Sequence, residues 1–180
     1  MPELPIVVDL ESRRPAKLLS EYGLFIDLKN QVPNAGVIPY ELNSTHFADY
    51  ARSRHYLYLP PGTQAVYQES GIIQFPVGTV LIQTLYYLND IRDASKGEKQ
   101  IETRLLIHQN KGWIGVPYVW NETGDDARRA VAGRKTPVSW KHFDGSDREH
   151  NFVTPNMNQC KQCHVNREVM APIGMKAENL

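Results

Sequence analysis

Three segments between Val80 and Trp120 carry the pattern of β-strands, and they constrain the fold more than any other stretch. Val80–Tyr87 is dense in β-branched and aromatic residues, and in Ile101–Ile107 the side chains of Ile101, Thr103, Leu105 and Ile107 alternate onto one face. The polar stretch from Asn89 to Gln100 joins these two as a hairpin with a long loop. Trp113–Trp120 supplies a third strand, in which Pro117 argues for an edge or bulge position. The expected result is an antiparallel meander.

Around this block the signals are shorter. Residues 1–14 read as an extended arm. A short helix is expected after Pro15, with Leu18, Leu19 and Tyr22 on one face and Gly23 as its stop. Residues 30–63, rich in Pro, Asn and Gly, read as an irregular wrap with a helical turn near Thr45–Ala51. Asp125–Ala132, with acidic residues first, arginines later and Gly133 behind, predicts another short helix. Further strands are expected at Pro137–His142 and Asn151–Val153, with Asp144-Gly145 as a turn. The sheet then has five or more strands, and 180 residues suffice for one domain spanning 15–180.

Lysine plus arginine balances aspartate plus glutamate at 20 each, which removes the electrostatic case for nucleic acid or anionic membrane as the main partner. No apolar run approaches the length of a transmembrane segment. Met1-Pro2-Glu3-Leu4-Pro5 has neither the basic nor the apolar part of an export signal.

The only two cysteines lie in Cys160-Lys161-Gln162-Cys163-His164, the C-x-x-C-H pattern of c-type haem attachment. Residues three apart on a helix share a face, so both sulfurs reach the two vinyl groups of one porphyrin as thioethers while His164 turns its imidazole to the iron. Asn156 or Asn158 caps that helix. Three rival readings stand beside this one. A zinc site needs two further ligands, which must be histidines elsewhere. A redox dithiol needs no histidine behind its second cysteine and expects a βαβ context. The third is an ordinary cysteine pair or disulfide, for which chance placement of this pattern is on the order of one in a few thousand. The fold class is mainly β (α+β), an antiparallel sheet body with short helices and a C-terminal haem-attachment helix.

With haem bound, the sixth iron position decides function. Met157 lies on the attachment side, and Met170, six residues past His164, must span roughly 20 Å almost fully extended. Met175, eleven residues on, has room and is the candidate sixth ligand, against the alternative that it is core filler. His46, His55, His108, His142 and His150 are distal candidates that nothing ranks above structural roles. Phe75, Trp113, Tyr118 and Trp120 are expected in the core or lining the haem crevice. Arg128, Arg129, Arg134, Lys135 and Lys141 form a loosely basic stretch, either a solvated face or a dock for an acidic redox partner. Asp144–Glu149 lacks EF-hand spacing and reads as a turn, and the sequons at Asn43 and Asn121 carry no weight.

The stretches Phe75–Ile82, Ile101–Ile107, Pro117–Asn121 and Pro155–His164 resemble a family of exported bacterial haem-c proteins, a likeness running from about Leu19 onward. The resemblance implies haem and export, hence a periplasmic location, more than any particular reaction. Members of that family carry proline where this chain has Met175, which weakens Met175 as a shared ligand. The layout is also similar to cytochrome c′-beta and its hydroxylamine-oxidising relatives, which implies a β-sheet haem protein. Some of those relatives carry a lysine cross-linked to haem, but nothing selects among Lys99, Lys111 and Lys135 here.

The expected function is a monohaem c-type cytochrome transferring single electrons in the periplasm to a redox partner protein. The competing expectation is a haem enzyme or small-gas (nitric oxide) binding protein with five-coordinate iron. A third is a haem module of, or docked against, a larger oxidoreductase, suggested by the polar arm and the end at Leu180.

Overall fold

The computed structural model describes residues 5–12, 14–44, 47–69, 71–166 and 169–180. A small hairpin of β1 (Phe25–Asp27) and β2 (Val32–Pro33) leads into the main sheet. That sheet holds β3 (Val37–Tyr40), β4 (Arg52–Tyr58), β5 (Val80–Leu88), β6 (Glu98–Gln109), β7 (Gly112–Trp120) and β8 (Ala127–Arg129), adjacent in that order and antiparallel throughout. The expected mainly β fold and antiparallel meander are what the chain adopts. Pro117 sits just beyond the residues paired by β8, whose last partner is Tyr118, and its carbonyl accepts from Ala130 N–H at 2.9 Å. A missing N–H is tolerated there because the ladder on that side has ended.

The two faces of the sheet are covered differently. Tyr56, Ile82, Leu105, Val116 and Tyr118 line the first face, and Leu19, Tyr22, Leu24 and Phe25 pack on it. Leu19 and Tyr22 belong to the expected short helix, a 3₁₀ turn over Leu19–Tyr22 that ends on left-handed Gly23. The Tyr22 and Tyr118 hydroxyls meet at 2.9 Å inside this core. The segment before it lies on the body: Val7 N–H bonds Tyr22 O at 3.0 Å, and Gln109 Nε2 bonds the Asp9 carbonyl at 2.9 Å.

The second face has two covers. A hairpin of β9 (Arg134–Lys141) and β10 (Asp147–Thr154) packs Val138, Trp140 and Phe152 on Leu85 and Tyr87. Further along the same face, Phe75 and Met175 pack on Leu81, with Leu57, Leu106 and Trp113 around them. Among the described residues, no helix is long and apolar enough to cross a membrane.

Two expectations fail. Asp125–Ala132 is no helix: Asn121 and Thr123 donate side-chain hydrogen bonds to Asp125, and Asp126 accepts from the backbone and hydroxyl of Ser20 at 3.2 and 2.7 Å. With both carboxylates used in a turn and a long-range contact, Ala127 is free to pair with Trp120 and bury as strand β8. The supposed irregular wrap at 30–63 contains three strands, β2, β3 and β4. In β4 the alternation is carried by Tyr56 and Tyr58 after Arg52 and Arg54, so no aliphatic run announces it. The helical turn expected near Thr45–Ala51 falls partly outside the described residues. Asp49 and Tyr50 have φ of 50° and 69°, which is not helical.

Candidate functional site

Pro155 ends β10, and the next residues form α1 (Met157–Cys163). Asn156 Oδ1 accepts from Gln159 N–H at 2.9 Å, while Gln159 Oε1 accepts from Asn156 N–H at 2.8 Å, a reciprocal cap that satisfies two of the helix's free donors. Of the two asparagines expected to cap, Asn156 does so. After α1 the chain turns back through β11 (Val165–Asn166) and β12 (Val169–Met170), paired antiparallel.

α1 lies on β7, and Gly115 is why it lies so close. A Cβ at Gly115 would stand 2.8 Å from Cys160 Cβ and 2.8 Å from Met170 Cε. Only a residue without a side chain lets the helix and β12 meet the strand at this depth. Cys160 is buried on that seat, Cys163 on the next turn is exposed, and both are free thiols. Burial pushes the Cys160 thiol pKa up, and the charge of Arg104 pulls it back.

His164 follows directly. Its backbone N–H bonds Cys160 O at 3.2 Å and its carbonyl accepts from Ala171 N–H at 2.8 Å. Its ring Nδ1 stands 3.2 Å from Ala171 O. A carbonyl only accepts, so Nδ1 carries the hydrogen and the lone pair belongs to Nε2. Burial lowers the imidazole pKa, the Ala171 carbonyl opposes this, and Arg104 adds to the lowering. The net lowering favours the neutral ring, the form that ligates a metal.

Next to β7, β6 presents Glu102 and Arg104 on the second face, opposite Val119 and Pro117. Arg104 Nε and Nη2 bond the two carboxylate oxygens of Glu102 at 2.8 and 3.0 Å, and the Glu102 side chain is 0% exposed. Burial raises the Glu102 pKa against the pull of Arg104.

The remaining candidates are dispersed. Met175 is buried with Phe75 and Leu81, and its carbonyl accepts from Ile73 N–H at 2.9 Å. Met170, not Met175, is the methionine packed beside Cys160, and Met157 packs against the first-face core. His55 is buried on β4 beside Gln83, while His108 stacks on Trp113 at 4.5 Å and bonds the Phe75 carbonyl through Nδ1 at 3.0 Å. His142 accepts from Trp140 Nε1 at 3.3 Å, and His150 faces Asp49 at 3.6 Å. His46 lies outside the described residues. Tyr118 and Trp120 belong to the first-face core, and Phe75 and Trp113 to the second. Arg129 bonds the Pro15 carbonyl and Lys141 pairs with Asp147, so the basic stretch is partly consumed internally. Among the described residues, no three His, Cys, Asp or Glu side chains group as a metal-holding set.

Two free thiols one helical turn apart, followed by an imidazole whose Nε2 has no hydrogen-bond partner among the described residues, fit the attachment demands of a c-type haem. Sequence reasoning found these three residues and missed Gly115, Ala171 and the Glu102–Arg104 pair. An isolated glycine inside a strand pattern was the available sign for the first. Comparison with protein-family models, with curated proteins and with solved structures found no match to this chain.

Proposed function

We propose that this chain is an exported monohaem c-type cytochrome that passes single electrons to a redox partner protein or within a larger oxidoreductase. The observation that carries the reading is the Nδ1–H bond from His164 to the Ala171 carbonyl, because it fixes the tautomer and aims Nε2 as a ligand. When bound, the haem supplies the one-electron couple. The chain's own residues do the rest: Cys160 and Cys163 anchor the group, Gly115 lets the anchored helix lie against the sheet, and Ala171 holds the ligand ring.

A second reading has a specific observation in its favour. Met170 and Met175 both have packing roles on the sheet, at Gly115 and against Phe75 and Leu81. An iron left without a methionine is open to small ligands. Absorption and resonance Raman spectra of the purified holoprotein separate the two: low-spin iron in both oxidation states supports electron transfer, whereas high-spin iron that binds carbon monoxide or nitric oxide supports the gas-binding or enzymatic role. A stable complex on native purification identifies the partner.

A further inference from the structure

The register of the sheet aligns Tyr40, His55, Gln83, Arg104 and Pro117 in one row across β3, β4, β5, β6 and β7, all on the second face. Apolar packing flanks the row on both sides, Leu85 under the β9–β10 hairpin and Leu81 under Phe75 and Met175. Arg104 is the row's only formal cation, and it lies at the end where α1 sits. Its partner Pro117 is two residues from Gly115, the seat of Cys160, which places the Arg104 and Gly115 backbones about 7–8 Å apart on the diagonal.

We propose that Arg104, oriented by Glu102, is the residue that sets the reduction potential of the haem attached at Cys160 and Cys163. The pair is polarised with respect to the ligand set. Arg104, opposite Pro117, stands two residues nearer along β6 to the Gly115 seat of Cys160 than Glu102, which is opposite Val119. The positive end of the ion pair is therefore the one nearer the seat of Cys160, and the negative end has no solvent exposure. A cation nearby disfavours the oxidised iron, which carries one more positive charge than the reduced iron, so Arg104 raises the potential. The Glu102 side chain has no exposure but the Arg104 side chain is 37% exposed, so salt screens the cation in part. Two bonds from Arg104 to one carboxylate also fix the guanidinium plane, so the charge is held at one place rather than averaged over rotamers. Arg104 is a positioning and tuning residue here, with no contact to the iron required.

This inference rests on the haem reading, and the experiment keeps the two apart. Covalent haem is first verified in each variant by intact mass and by its reduced-state absorption, and its absence from the wild-type holoprotein counts against the haem reading alone. Midpoint potentials are then measured by spectroelectrochemical titration for wild type, R104Q, R104K and E102Q. R104Q is expected to shift the potential downward, E102Q upward because the cation loses its counter-charge, and R104K to stay near wild type. The R104Q shift is expected to be smaller at high than at low ionic strength. An unchanged potential in R104Q, or shifts of the same sign in R104Q and E102Q, overturns the proposal. Should R104Q fail to fold, E102Q and R104K still decide it: an upward shift in E102Q with R104K near wild type supports the proposal, and an unchanged or lowered potential in E102Q overturns it.

Discussion

His164 and the backbone of Ala171 are tied twice, ring Nδ1 to the Ala171 carbonyl at 3.2 Å and Ala171 N–H to the His164 backbone carbonyl at 2.8 Å. The ligand ring is thereby oriented by the strand return that follows the helix, independently of either cysteine. H164G is expected to retain covalently attached haem, since the thioethers form at Cys160 and Cys163, but to lose the native axial-ligand spectrum. Added imidazole is expected to restore it. Loss of attachment together with failure of rescue would count against His164 as the ligand.

Gly115 tests the packing of the attachment helix. G115A places a methyl group 2.8 Å from Cys160 Cβ and Met170 Cε. Overpacking of this kind costs about 1–3 kcal/mol. Because the Met170 terminus can move and the Cys160 backbone cannot, M170A is expected to recover part of the loss in the double variant, measured by urea unfolding. Full wild-type stability in G115A would show that the helix is not seated there.

The two cysteines differ in burial, so their serine variants differ before any haem is attached. C160S buries a hydroxyl without a partner and is expected to lose about 1–3 kcal/mol in the unloaded chain. C163S, at an exposed site, is expected to stay within about 0.5 kcal/mol. In the loaded protein each leaves one vinyl group unsaturated, and the haemochrome band of both moves to longer wavelength.

Met175 is 6% exposed against Phe75 and Leu81. M175A is expected to cost about 2–5 kcal/mol and M175L, which keeps the volume, under about 1.5 kcal/mol. With packing as its role, the M175L spectrum matches wild type. A change of spin state in M175L at preserved stability would instead put its sulfur on the iron.

Asp90, 2% exposed, accepts from Arg92 Nε and Nη2 at 2.9 and 2.8 Å and from Lys96 Nζ at 2.9 Å. These cations hold its carboxyl far below the ordinary aspartate value of 3.8. A depressed native pKa contributes stability that is complete above the unfolded value and disappears as pH falls through the native one. D90N is therefore expected to melt below wild type at neutral pH, with the gap narrowing once the pH drops under that ordinary value. A gap that is constant down to strongly acidic pH would remove the ionic explanation.

The strands of the meander were legible because Val80–Leu88 and Ile101–Ile107 carry their burial in aliphatic side chains. β4 and β8 were not, since arginines beside Tyr56, and two aspartates before Ala127, carry local signals that tertiary pairing overrides. The proposed attachment residues Cys160, Cys163 and His164 are picked out by their spacing alone. What surrounds them was not: Ala171 acts through its backbone, and Glu102 and Arg104 acquire meaning only when the register sets Arg104 opposite Pro117, two residues from Gly115. Residues two apart on a strand share a face, so the pair was visible as neighbours but not as neighbours of Cys160.

The central claim is the covalent haem on Cys160 and Cys163, and the most direct test is intact-mass spectrometry of the chain produced alongside a haem c maturation system, under denaturing conditions. The account predicts a mass increased by one haem that resists acidic organic extraction and is lost in the C160S/C163S double variant. A bare polypeptide mass, or haem that extracts freely, would contradict it.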